Sequence, residues 1–234
     1  MPVYLPAIVI LLVAAFIVVR LRKLTPAGGI AAVVTGLLVF VGASYTGLIL
    51  LASFFTMGTA ATSWNKSLKQ TVDPSENQLG GRTAGQVFAN GGVAALAGLF
   101  AYLLPQFHVT LLLMLAGSLS AATADTLSSE IGMVKGRRFY NILTFKKDLA
   151  GLNGVVSVEG TFAGILGSVI LGACYLLLTN APAIHFMAIV LAGTAGNLAD
   201  SVLGASLERK HVLNNDAVNA LNTIVGALTV LLFI

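Results

Sequence analysis

Charge is scarce in this 234-residue sequence: 13 Lys and Arg and nine Asp and Glu account for 9 % of it, against about 25 % in an ordinary soluble domain. So few charges cannot hydrate a globule of this size. With 57 % apolar residues and a mean hydropathy of +0.92, the solvent for most of the chain is expected to be lipid. Cysteine is scarcer still. The single Cys174 lies in an apolar stretch, which excludes an intramolecular disulfide and leaves it the role of a small buried hydrophobe. His108, His185 and His211 fall in separate connections, so no pair has the spacing of zinc ligands. No G-x4-G-K-[ST] string occurs, which excludes a Walker-type phosphate loop. Met1, Pro2, Val3 and Tyr4 put no base before the first apolar run, and bases follow it. That order is expected of a retained anchor helix with its N-terminus outside, not of a cleaved signal peptide.

A spanning helix needs about 20 apolar residues, and eight segments qualify: 3–19, 26–43, 45–62, 84–104, 109–124, 154–178, 183–207 and 217–234. Only a Gly-Ala-Ser-Tyr-Thr-Gly turn separates the second from the third, and the fifth is short, so six or seven spans are also compatible. The bases test the count, because Lys and Arg in short loops gather on the cytoplasmic side. Arg20, Arg22 and Lys23 follow the first span, and Lys66, Lys69 and Arg82 the third. Lys135, Arg137, Arg138, Lys146 and Lys147 follow the fifth, and Arg209 and Lys210 the seventh. All 13 bases therefore fall in alternate loops. The expected fold is all-α: one polytopic membrane bundle over residues 1–234, with about eight transmembrane helices, both termini outside, and cytoplasmic loops at 63–83 and 125–152. Tyr4, Tyr45, Tyr102 and Tyr175 would mark the outer interface and Trp64 the inner one. The 25 glycines are assigned mainly to close helix packing, as in Gly81-x3-Gly85 and Gly160-x3-Gly164.

The acids carry the functional reading, since an ionisable group inside a membrane segment costs roughly 2.5 to 3.5 kcal/mol on insertion scales. Asp125 closes the fifth span, Glu159 is expected about 9 Å inside the sixth, Asp200 lies near the inner end of the seventh, and Asp216 opens the eighth. All four belong to the cytoplasmic side. Ala124-Asp125-Thr126-Leu127 returns as Ala199-Asp200-Ser201-Val202, 75 residues later, and Asn90 has a similar counterpart in Glu159. Two related helix pairs, a weak internal repeat, are the expectation.

Polar residues share helix faces with these acids, at spacings of three and four. Thr83, Gln86 and Asn90 form one such face, Asn197 and Asp200 with Gly204 a second, and Asn215, Asn219 and Asn222 a third. Ser128, Ser129, Glu130 and Asn153 border the same region. A cytosol-facing polar cavity between spans four to eight would satisfy them all, although Asn, Ser and Thr taken singly often only bond a neighbouring helix. Several hard oxygen ligands close together suit Mg²⁺, which takes one or two carboxylates plus substrate phosphates. The bases of 135–147 are read in two ways: as holding a triphosphate or anionic lipid headgroups, or as topology markers alone.

Five strings resemble one family: residues 80–86 (GGRTAGQ), 124–132 (ADTLSSEIG), 153–161 (NGVVSVEGT), 197–204 (NLADSVLG) and 214–219 (NNDAVN). Together they are similar to the integral-membrane family of domain of unknown function 92, among whose members are plant and cyanobacterial phytyl-phosphate kinases. The resemblance runs over essentially the whole chain. It implies a membrane-embedded prenyl-phosphate kinase in which CTP or another nucleoside triphosphate donates its γ-phosphoryl group to phytyl or a related polyprenyl monophosphate, with Mg²⁺. On that reading Asp125, Glu159 and Asp200 are catalytic. Asp125, Glu130, Glu159, Asp200 and Asp216 hold metal. Arg82, Lys135, Arg137 and Arg138 hold phosphates, while Asn90, Ser129, Asn153, Asn197, Asn215 and Asn219 orient them. The partners would be membrane lipids, the prenyl phosphate and the nucleotide, with no nucleic acid. The setting would be a multi-pass position in a bacterial or cyanobacterial plasma membrane. A reading of another class stays open: intramembrane carboxylates, Gly-broken helices and a weak repeat also describe an ion-coupled or lipid transporter.

Overall fold

The computed structural model describes residues 4–72 and 81–234, so Gly80 of the first family string and the middle of the 63–83 loop lie outside the described residues. Eight helices follow one another: α1 (Tyr4–Arg20), α2 (Pro26–Ser63), α3 (Lys66–Val72), α4 (Ala84–Leu103), α5 (His108–Lys135), α6 (Val158–Thr179), α7 (Ala183–Leu203) and α8 (Asn215–Thr229). A π-turn, Gly204–Glu208, extends α7. Two-residue strands β1 (Tyr140–Asn141) and β2 (Val155–Val156) pair antiparallel between α5 and α6. Six helices are long and apolar enough to cross a membrane, and α1 is a shorter apolar helix. The protein is a multi-pass, all-α integral membrane bundle.

One of those six is a hairpin. As a straight rod the 38 residues of α2 would be about 57 Å long. Yet Lys23 Nζ, just before α2, donates to Ser63 Oγ at its far end over 2.7 Å. The fold-back occurs at Ser44, whose φ of 50° and ψ of −146° are not helical. With its two limbs (26–43 and 45–63) and α1 counted separately, eight apolar helical segments run the length of the bundle, matching the sequence count. Tyr4 stacks edge-on against Phe40, and Phe40 against Tyr45. His108 Nε2 reaches Gly42 O at 3.0 Å. The start of α1, the Ser44 turn and the start of α5 thus share one end of the bundle.

At the centre stands α5, with 67 % of its apolar window buried against 33–39 % for the other five long helices. Small residues let neighbours reach its backbone: a side chain at Gly160 would strike Ser128 O, and one at Gly164 would strike Ala124 O. These two glycines therefore fix the rotation of α6 against α5. At the end with the Ser44 turn the core is mainly apolar. Val39, Ala43, Leu50, Leu113, Leu115, Leu119, Tyr175, Ile189 and Val230 are packed there, each at most 5 % exposed. Cys174 lies half-buried against this cluster.

Two sequence boundaries need correction. The expected loop 125–152 is helical as far as Lys135, so Asp125 lies within α5 instead of closing it. The sixth span does not begin at residue 154: Val155 and Val156 pair with Asn141 and Tyr140, and Ser157 caps the helix by accepting from Gly160 N at 3.1 Å. Glu159 consequently sits in the first turn of α6, not about 9 Å inside the span.

Candidate functional site

At the end opposite the Ser44 turn the bundle opens into a polar cavity of about 700 Å³, within the size range of small-molecule sites. Its floor is acidic. Asp125 projects from α5 and Asp200 from α7, and their side chains meet between the two helices. Asn222 on α8, fully buried, donates Nδ2 to Asp200 Oδ1 over 3.4 Å. Among the described residues its own Oδ1 has no partner. Asn90, Ser129, Asn153, Asn197, Asn215 and Asn219 all face the same space, and Asn219 Nδ2 donates to Asn215 Oδ1. The neutral polar faces expected on α4, α7 and α8 thus converge.

Basic side chains reach the cavity from elsewhere: Arg22 and Lys23 before α2, Lys66 and Lys69 on α3, and Arg82 before α4. Arg82 is aimed by its backbone. Its N–H donates to Lys23 O at 2.9 Å, and its carbonyl accepts from Thr25 N at 3.0 Å. The side chain then runs inward, with the guanidinium 5.8 Å from the Phe54 ring centroid and beside Gly58 and Thr126. No carboxylate among the described residues lies within ion-pair distance of it. Burial draws its pKa down from the ordinary value and the field of Glu130 partly restores it; an arginine keeps its charge through such shifts. A guanidinium fork with no acceptor among the described residues, facing a cavity, suits an oxyanion.

Lys69 and Glu130 are already paired. Lys69 Nζ lies 2.5 Å from Glu130 Oε2, with the two side chains 2 % and 9 % exposed. It also donates to Ala61 O at 2.6 Å and Thr62 O at 3.4 Å, carbonyls of the last turn of α2. Glu130 lines the cavity, but its charge is taken up by this bond.

Five sequence candidates are placed away from the cavity. Glu159 turns to the other side of α6, where its Oε2 accepts from Arg137 N. Lys135 sits over the Trp64 ring, 5.5 Å from its centroid. Arg137 and Arg138 are exposed beyond the end of α5. Asp216, in the first turn of α8, packs on Gly85 at the start of α4. Among the described residues no three carboxylates, histidines or cysteines converge as a protein-only metal cage would require. The Asp125 and Asp200 oxygens do fit a magnesium ion completed by water and phosphate, since that ion takes one or two carboxylates and leaves its other positions open.

Lys69 and Glu208 were missed as site residues. Glu208 lies eight positions beyond Asp200, and an α-helix would carry it about 80° round. The wider π-turn shortens that rotation. Glu208 comes to line the cavity within the field of Asp200, and Asn153 meets its side chain. The loop opposite is clamped in turn. Arg209 Nε donates to Asn153 O at 2.6 Å, and its Nη2 to Asp148 Oδ2 at 2.9 Å. Gly154, with φ of 72°, presses on Ala205 and Ser201 O, leaving no room for a side chain.

No solved structure matches the chain. Sequence relatives do. An uncharacterized membrane protein of Methanocaldococcus jannaschii is 37 % identical over 229 residues, covering 95 % of this chain and 90 % of that one. Protein VTE6, chloroplastic, of Arabidopsis thaliana is 33 % identical over 217 residues, 89 % of this chain and 65 % of its own length. An uncharacterized membrane protein of Synechocystis is 31 % identical, with 88 % and 81 % covered. The family model described as integral membrane protein DUF92 matches residues 9–227. With nearly its whole length matched, including all the acids and bases of the cavity, the chain belongs to the DUF92 family of integral membrane proteins.

Proposed function

We propose that the protein is a membrane-embedded prenyl-phosphate kinase. A nucleoside triphosphate, CTP in the first instance, and a phytyl or related polyprenyl monophosphate meet in the polar cavity. An oxygen of the monophosphate forms a bond to the γ-phosphorus, the bond from that phosphorus to the β–γ bridging oxygen breaks, and prenyl diphosphate and nucleoside diphosphate result. The acceptor oxygen is already anionic, so no general base is required. Such transfer depends mainly on positioning and charge neutralisation. Magnesium, when bound, supplies Lewis-acid neutralisation of the phosphate oxygens. Asp125 and Asp200 hold that ion, Arg82 binds phosphate oxygens through its fork, and Asn90, Asn197 and Asn219 orient the polar ends.

The observation that carries this reading is one cavity holding both a meeting pair of aspartates and an arginine with no acid partner among the described residues. The same cavity bears on the transporter reading. It is open at one end of the bundle, and the apolar cluster around Leu113, Leu119 and Ile189 fills the other. Beyond the cavity the buried serines Ser118, Ser120 and Ser168 each bond a backbone carbonyl, and no carboxylate or base among the described residues continues the path. The test is purified protein in lipid nanodiscs, incubated with magnesium, a panel of nucleoside triphosphates and prenyl monophosphates of several lengths. The product is read by mass. Accumulation of prenyl diphosphate is the expected result; its absence across the panel, with the acceptor bound, sinks the reading.

A further inference from the structure

Behind the polar cavity lies a second, apolar recess of about 210 Å³. Val158, Thr161, Phe162 and Ile165 form one side of it, a single face of α6 by their spacing of three and four. Tyr140 and Val156, partners across β1 and β2, close the other side. Val156 and Ser157 line both spaces, one on each side of them. The recess opens onto lipid, since Val158, Phe162 and Leu166 form a stripe along α6 that is 62 %, 67 % and 59 % exposed.

We propose that this recess seats the headgroup-proximal part of the acceptor's isoprenoid tail, so that the acceptor enters sideways from the bilayer and threads its phosphate past Ser157 into the polar cavity. The inference rests on the kinase reading for the identity of the amphiphile. An anionic head and an apolar tail need adjoining sites of opposite polarity at a membrane-facing helix, and these two spaces share a wall there. At about 210 Å³ the recess is smaller than the roughly 300–1,000 Å³ of pockets that enclose a whole small ligand. It therefore grips the first isoprene units, and the rest of the tail stays among lipid chains.

Two variants fill the recess from different points, Ile165→Trp in its wall and Val158→Trp at its exposed rim. Since one methylene in an apolar pocket changes discrimination roughly 10- to 200-fold, each should raise KM for phytyl monophosphate at least about tenfold. KM for the nucleotide, which does not enter the recess, should stay within about twofold. A prenyl monophosphate carrying a diazirine on its first isoprene unit supplies a readout without turnover: label is expected on peptide 155–166 of the wild type and lost in both variants. Unchanged KM in both variants overturns the proposal. So does label that falls elsewhere while turnover persists, or label competed equally by a prenol without phosphate, which would mean ordinary lipid packing. Label on 155–166, displaced only by phosphorylated prenols, with no turnover in the wild type would refute the kinase reading and leave the amphiphile site standing.

Discussion

Replacing Lys69 by Met should destabilise the bundle far more than loss of an ordinary surface ion pair. Its ammonium bonds Glu130, Ala61 O and Thr62 O at 2.5, 2.6 and 3.4 Å, and its side chain is 2 % exposed. Removing it strands a buried carboxylate, which typically costs about 3–5 kcal/mol; an exposed pair is worth at most about 1 kcal/mol. The lower part of the first range applies, because Glu130 borders the cavity and water can reach it there. Ala61 O also keeps the Trp64 N–H as a donor at 3.1 Å. The expected loss is therefore about 3 kcal/mol. Glu130→Gln should cost about half as much, since the ammonium keeps both carbonyls and gains an amide oxygen. Lys69→Met combined with Glu130→Leu should recover most of the loss, because replacing both members of a buried pair by apolar groups is often neutral. Unfolding by denaturing detergent titrated into mild micelles can be followed by Trp64, the single tryptophan, which lies at the affected end of α2. A cost below about 1 kcal/mol for Lys69→Met, or a double variant no better than the single one, would refute the view of this pair as a buried staple between α2, α3 and α5.

Other outcomes follow from the cavity. Asp125→Asn and Asp200→Asn should each abolish magnesium-dependent transfer while leaving the unfolding midpoint in place; transfer within about tenfold of wild type would remove that residue from the site. Arg82→Gln should lower kcat/KM for the nucleotide about 10²-fold, and Arg82→Lys should restore little, because a point charge does not reproduce the fork. The Leu149 N–H and then Arg209 hold the Asp148 carboxyl below its ordinary pKa. A depressed acid contributes stability above its unfolded pKa and loses it as pH falls through the folded one. Hydrogen exchange in 148–154 should therefore quicken only below the ordinary carboxylate range, and should lose that pH dependence in Asp148→Asn. In a Cys174→Ala background, cysteines at 66, 137 and 210 should react with an impermeant reagent from the cytosol and one at 181 from outside; one reversed label would sink the positive-inside topology.

What was legible in the sequence divides along the kinds of force involved. Lipid demands long apolar runs, so the helices and the turn at Ser44 could be read from composition and one polar interruption. The two A-D-[ST] strings marked Asp125 and Asp200, and these are the acids that meet. Glu159 was misplaced because its depth was counted from residue 154, whereas Ser157 caps α6 and a two-residue strand precedes it. Its direction was available in principle. Gly160 and Gly164 must face α5, and the preceding residue projects about 100° away from Gly160 on an α-helix, clear of the α5 contact. Lys69 and Glu208 gave no such signal. One depends on a seven-residue helix placed by tertiary contact, the other on a π-turn that no periodicity announces.

That division bears on how the site works. The acids that repeat in the sequence sit on the central helix α5 and its neighbour α7. The bases that face them come from the connections around α2, α3 and α4. A cation held between two helices keeps its place only as well as those helices do, and the glycine contacts along α5 make that framework stiff. Bases on connections have the complementary property, since loops admit and release a ligand at low cost. Lys69 joins the two parts by pairing with Glu130 on α5 while capping the end of α2. Weakening that pair should therefore loosen the basic wall before it disturbs the aspartates, raising KM for the nucleotide with little change in kcat. A Lys69→Met variant that lost kcat while keeping KM would place the pair in support of the acidic floor instead.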